Sequence, residues 1–134
     1  MKQKQTANRP RVEEQRHYKK VGRLSPTIAK AIRRKSADIY IDENHITHIF
    51  NRHEKELASI GFTPMMFLNA VINNFNRIYK GNRNALILVK WNGVPKVVII
   101  ELNLALKEGF YEVLTALIRA KKSLNTKDLL WQKK

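Results

Sequence analysis

The chain has 134 residues, 43% of them hydrophobic, which suits one domain with an ordinary buried core and leaves little room for a second. It contains no cysteine, so disulfide frameworks, thiolate metal centres and thiol nucleophiles are excluded. A formal net charge of +15, with 12 basic against 2 acidic residues in the first 35, points to a polyanionic partner, either nucleic acid or an acidic protein.

Residues 1–22 mix Lys, Arg, Gln and Asn with almost no apolar periodicity and read as a basic tail or linker, leaving 23–134 as a single domain. The basic N-terminus is not followed by an apolar signal core, and no apolar run reaches bilayer length, so no membrane association is expected. Ser25-Pro26 carries a helix-start signal, an N-cap followed by proline at the first helical position. Ile39 to Ile41 form a brief β-like run that ends at Asp42.

The next segment, DENHITHIFNRHEKEL from Asp42 to Leu57, holds three of the four histidines. As one helix capped by Asp42, it groups His45, His48 and Arg52 on one flank, beside an apolar arc of Ile46, Ile49, Phe50 and Leu57 that also contains His53. Gly61 is placed to end that helix in a left-handed cap. Thr63-Pro64 repeats the helix-start signal, and apolar residues from Met65 to Tyr79 recur at spacings of three and four, predicting a helix that runs to about Lys80-Gly81.

From Ala85 the period turns extended. The runs ALILVKW and VPKVVIIELNL flank Asn92-Gly93, a strong hairpin signal, and both are apolar on both faces. In FYEVLTALIRA the even positions Phe110, Leu114, Ala116, Ile118 and Ala120 form an apolar face, while Tyr111, Val113, Thr115, Leu117 and Arg119 project the other way. Leu129-Leu130-Trp131 reads as a last edge strand. The predicted class is α+β, with N-terminal helices packed on a roughly four-stranded antiparallel meander.

Imidazole titrates near neutrality, so a pair of histidines can take a proton from a nucleophile and return one to a leaving group, while Arg52 stabilises charge on a phosphoryl group. In RNA the nucleophile is the substrate's own 2′-hydroxyl. The bland alternative, a solvated helix edge with one hydrogen-bonded core histidine, fits the spacing as well. Three histidines on one helix rarely converge on one ion, and no acidic residue obviously completes a set, so no metal or other cofactor is expected.

The ordered motifs HITHIFNRHEKEL, NFNRIYKGN, ALILVKW, YEVLTALIRA and LLW make residues 39–131 resemble the barnase, EndoU, colicin and RelE-like ribonuclease superfamily, in its phage and contact-dependent toxin members. The resemblance implies a metal-independent endoribonuclease that cleaves RNA, often tRNA, through a 2′,3′-cyclic phosphate. It also implies delivery into the cytoplasm of a target cell as the C-terminal part of a longer secreted or phage-borne protein, and pairing with an acidic immunity protein or antitoxin.

Carried onto this chain, the family's motifs correspond to His48-Ile49 and Arg52-His53, with Thr115 as the strand hydroxyl; His45 joins the catalytic candidates through its position on the same helix flank. Thr115 and Tyr111 would hydrogen-bond the scissile phosphate, and Arg119, Lys121 and Lys122 would clamp the RNA backbone. The rival readings are a non-catalytic basic RNA-binding protein and an interaction module that docks an acidic partner.

Overall fold

The structure is a computed structural model that describes residues 17–50, 54–59, 61–91 and 98–133; within these ranges the side chains of 47, 48, 54, 56, 98–100 and 117–121 lie outside the description. Its centre is a seven-stranded mixed sheet in the order β1-β2-β6-β5-β4-β3-β7. The strands are β1 (Tyr18–Leu24), β2 (Ala37–Asp42), β3 (Arg77–Lys80), β4 (Leu86–Lys90), β5 (Val98–Lys107), β6 (Phe110–Ala120) and β7 (Leu129–Gln132). The helices are α1 (Pro26–Ala31), α2 (Ile46–Phe50), α3 (Glu54–Ser59) and α4 (Pro64–Asn74).

The mixed α/β class agrees with the sequence, but the arrangement is not N-terminal helices on a four-stranded meander. The first strand starts at Tyr18, inside the stretch read as basic tail, and pairs antiparallel with β2. Three of the four helices lie mid-chain, between β2 and β3. Strand β2 lies parallel to β6, with Ile39 opposite Tyr111. That pairing occupies the outer side of β6, so β7 does not follow beside it but pairs with β3 at the far edge. The connecting 3₁₀ turn Lys121–Leu124 puts Leu124 with Tyr79, Ile87 and Val89 in a second, smaller cluster.

Local chemistry explains the element starts. Ser25 caps α1 and accepts from Ile28 N, and Thr63 caps α4 and accepts from Met66 N, each followed by proline where its missing N–H has no consequence. Helix α4 ends at Asn74 rather than near Lys80. Phe75 is extended, and both ends of the Asn76 amide bond the Trp91 backbone at 2.8 Å, which steers Arg77–Lys80 into a strand between β4 and β7. Asn73, Asn74 and Asn76 favour such local bonds over helix, and Ile78 and Tyr79 suit a strand.

The helices cover one sheet face. Phe50, Leu57, Phe67, Leu68 and Val71 pack there on Ile39, Ile41, Leu86, Leu88, Leu102 and Leu104. As expected of strands apolar on both faces, Ile87 and Val89 of β4 point to the opposite side. In β6 the simple alternation fails. Asn103 pairs with Thr115 but Leu104 pairs with Val113, leaving Leu114 as a bulge that is 51% exposed. The phase flips across it, so Tyr111, Val113 and Ala116 all reach the helix-covered core, while Thr115 stays with Asn103 on the other face. Between β5 and β6, Glu108 and Gly109 both have positive φ, 51° and 90°, as a two-residue type I′ turn demands. The Asn92-Gly93 hairpin lies outside the described residues.

Candidate functional site

The histidine segment is not one continuous helix. Asp42 accepts from Asn44 N at 2.9 Å and starts a 3₁₀ turn, Glu43–His45, before the five-residue α2. His45 therefore belongs to a tighter turn than His48, and the flank drawn for an ideal α-helix does not hold across that junction. Ile49, Phe50 and Leu57 enter the core as their spacing requires. Arg52 and His53 lie outside the described residues, as do the side chains of His48, Arg119 and Lys121.

His45 is exposed, and its Nδ1 stands 3.5 Å from the largely shielded Asp42 carboxylate. Nearby, Asn44 Nδ2 and His17 Nδ1 are 2.9 Å apart, which adds the fourth histidine to this corner. Glu112, 8% exposed, completes the group from β6. Its Oε1 accepts from the Tyr18 hydroxyl at 3.4 Å and takes the Lys107 ammonium at 3.2 Å. Tyr18, Tyr40 and Phe110 meet edge-to-face in the same region, with centroids 5.4–6.4 Å apart. Asp42, His45 and Glu112 each bring one ligand atom within 4.8 Å of the others. They are the described residues best placed to hold a cation, so acidic partners do stand beside His45, contrary to the expectation from sequence; Lys107 already neutralises one of them.

Tyr111 and Thr115 do not share a site. The bulge puts the Tyr111 side chain into the core, where its hydroxyl donates to Lys35 O at 2.8 Å. Thr115 instead opens onto a cavity of about 280 Å³ together with Asn82, Glu101, Asn103 and Lys127. Glu101 is 1% exposed, the one carboxylate of β5, set between the apolar residues Ile100 and Leu102 of the chain. Burying a charge is unfavourable enough that such a residue is a candidate for function. The lone acid in VVIIELNL was its signal in the sequence. Lys122 is exposed on the 3₁₀ turn after β6.

One basic concavity has no counterpart among the residues singled out from the sequence. A pocket of about 740 Å³ is lined by Arg33, Arg34, Lys35 and Arg83, with Leu106 and Tyr111 among its walls. It is built by the end of α1. Arg33 N donates to Lys30 O at 3.1 Å and Arg34 N to Ala29 O at 2.8 Å, the two bonds of a Schellman cap with Arg33 in the left-handed position, φ 59°. Gly61 fills the same position after α3, where it was expected, at φ 84°. Arg83 is also left-handed, φ 50°, and Arg34 Nη1 donates to Asn84 O at 2.6 Å, tying the two loops together. Arginine rather than glycine at a left-handed position costs roughly 1 kcal/mol, which the fold bears twice to set guanidinium groups here.

Two groups hold their protons unusually tightly. Burial pushes the Tyr111 phenol above its ordinary 10.0, against the pull of the nearby Arg34, and the hydrogen bond and charge of Glu112 hold Lys107 above its ordinary 10.5. For both, stability is fully present below the unfolded value and is lost as pH rises through the folded one. Thermal midpoints should therefore fall above about pH 10, and the fall should be shallower in Tyr111→Phe, although that variant lacks a bond worth about 1 kcal/mol at neutral pH. Parallel alkaline limbs in the two proteins would contradict this.

No family model matches the chain, and comparison with curated proteins and with solved structures finds no match. Among the described residues no helix is long and apolar enough to cross a membrane.

Proposed function

We propose that the protein is a metal-independent endoribonuclease acting on structured RNA, with tRNA as the foremost substrate. The observation that carries this reading is the exposed His45 imidazole beside the Asp42 carboxylate, in a segment with two further histidines and on a chain of charge +15. The sequence resemblance to toxin-type ribonucleases supports the same chemistry. A neutral imidazole takes the proton of the 2′-hydroxyl, the 2′-oxygen attacks phosphorus, and the 5′-oxygen leaves with a proton from a second, protonated imidazole. The products are a 2′,3′-cyclic phosphate and a 5′-hydroxyl. His48 and His53 are assigned the acid and base, with His45 as the third candidate. Arg52 steadies the phosphoryl charge, Thr115 orients it, and Arg119, Lys121 and Lys122 hold the flanking backbone.

On the same reading the protein acts in the cytoplasm of a target cell, is delivered as the C-terminal part of a longer protein, and is neutralised by an acidic immunity protein or antitoxin. The basic pocket favours a second reading, RNA binding without cleavage. Incubation of the purified protein with total tRNA in EDTA separates the two. Discrete fragments ending in 2′,3′-cyclic phosphate are expected. Dependence on added divalent ion would instead assign Asp42, His45 and Glu112 to a metal, and intact tRNA under every condition would leave the binding reading.

A further inference from the structure

We propose that the pocket formed by Arg33, Arg34, Lys35 and Arg83 is a phosphate subsite that seats consecutive backbone phosphates of RNA away from the histidine segment. The inference rests on RNA being the ligand and is independent of whether the RNA is cut. Four cationic side chains line one concavity of about 740 Å³, and among the described residues none that lines it is acidic. A solvated basic surface needs no such construction. Here two arginines occupy left-handed positions, the loops that carry them are joined by the Arg34 bond to Asn84 O, and the Tyr111 hydroxyl fixes the floor through Lys35 O. The Arg34 guanidinium is held by its bond to Asn84 O, and the planar forks of the three arginines suit the oxygens of phosphate.

The position sets the footprint. Lys35 precedes β2 and His45 follows it, so the two regions stand toward opposite ends of a six-residue strand, within about 20 Å of each other at 3.3 Å per residue. A bound strand that reaches both regions must therefore carry several phosphates. Oligonucleotides of three residues should therefore bind far more weakly than those of twelve.

The test uses a fluorescein-labelled 12-mer of 2′-O-methyl RNA, which lacks the nucleophile and stays intact whatever the catalytic outcome. Its affinity is measured over a salt series for the wild type and for Arg33→Asn/Arg83→Asn. Asparagine tolerates left-handed backbone, so the substitutions remove charge while suiting the fold. Lys35→Gln, which leaves both left-handed positions unchanged, is the second pocket variant. Lys19→Gln/Lys133→Gln removes two exposed charges outside the pocket and the histidine segment, as a control matched to the double variant.

The pocket double variant should lose affinity about tenfold at moderate salt, its salt slope should shallow by about 1.5–2, and the control should change far less. Lys35→Gln should shallow the slope by about half as much. Equal losses in the pocket double and the control would show undirected charge attraction and overturn the subsite. Unchanged RNA affinity in the pocket variants would also overturn it, and would leave the pocket to an acidic protein partner. Either result leaves the cleavage assay in tRNA, and hence the ribonuclease reading, standing on its own evidence.

Discussion

Alanine at His48 or at His53 is expected to lower RNA cleavage by about 10²–10⁴-fold, the usual contribution of a positioned acid or base. Folding and RNA affinity should change little, because each substitution leaves all 26 Lys and Arg charges of the chain in place. Thermal midpoint and binding to uncleavable RNA are thus the controls. His45→Ala is the informative third arm. If His45 takes part in proton transfer, its loss matches that of the others, and Asp42→Asn follows part of the way by releasing the imidazole. A histidine variant that cuts at the normal rate is removed from the acid/base set.

The second large effect is on stability. Phe67 is fully buried in the first turn of α4, with its ring edge-to-face against Phe50 at 5.9 Å and Phe62 at 6.4 Å. These contacts join α4 to α2 and to the segment that follows α3, so the ring helps fix the helical layer that carries the histidine segment. Phe67→Ala should destabilise the protein by about 3–5 kcal/mol, through lost transfer energy and the cavity left behind. For a chain of this size the thermal midpoint should fall by roughly 10–20 °C. A shift of only a degree or two would mean that the helical layer contributes little to the folded state.

What could be read from the sequence was local. Ser25-Pro26 and Thr63-Pro64 announce their helices because the capping oxygen and the missing N–H act within four residues. Gly61 announces its cap because glycine is the usual left-handed residue. The same cap after α1 went unseen because arginine carries no such mark, and the pocket it builds went unseen with it. Phe75 and Tyr79 keep a helical spacing beyond Asn74, where the helix stops, and the Asn76 bonds to Trp91 override it.

Long-range pairing was equally hidden. Nothing near Ile39 indicates a parallel partner at Tyr111, and that pairing moves β7 to the opposite edge. The candidate site divides in the same way. The histidines stand out by number, but Glu112 reaches His45 only through the tertiary fold, and one bulged residue, Leu114, separates Tyr111 from Thr115.

The central claim is that the substrate supplies its own nucleophile, and one comparison tests it most directly. A tRNA that the protein cuts in EDTA is compared with the same sequence carrying 2′-O-methyl groups throughout. The account predicts similar affinity for both, cleavage of the first to cyclic-phosphate ends, and no cleavage of the second. Cleavage of the methylated RNA at a comparable rate would contradict it, because the attacking oxygen would then have to come from elsewhere.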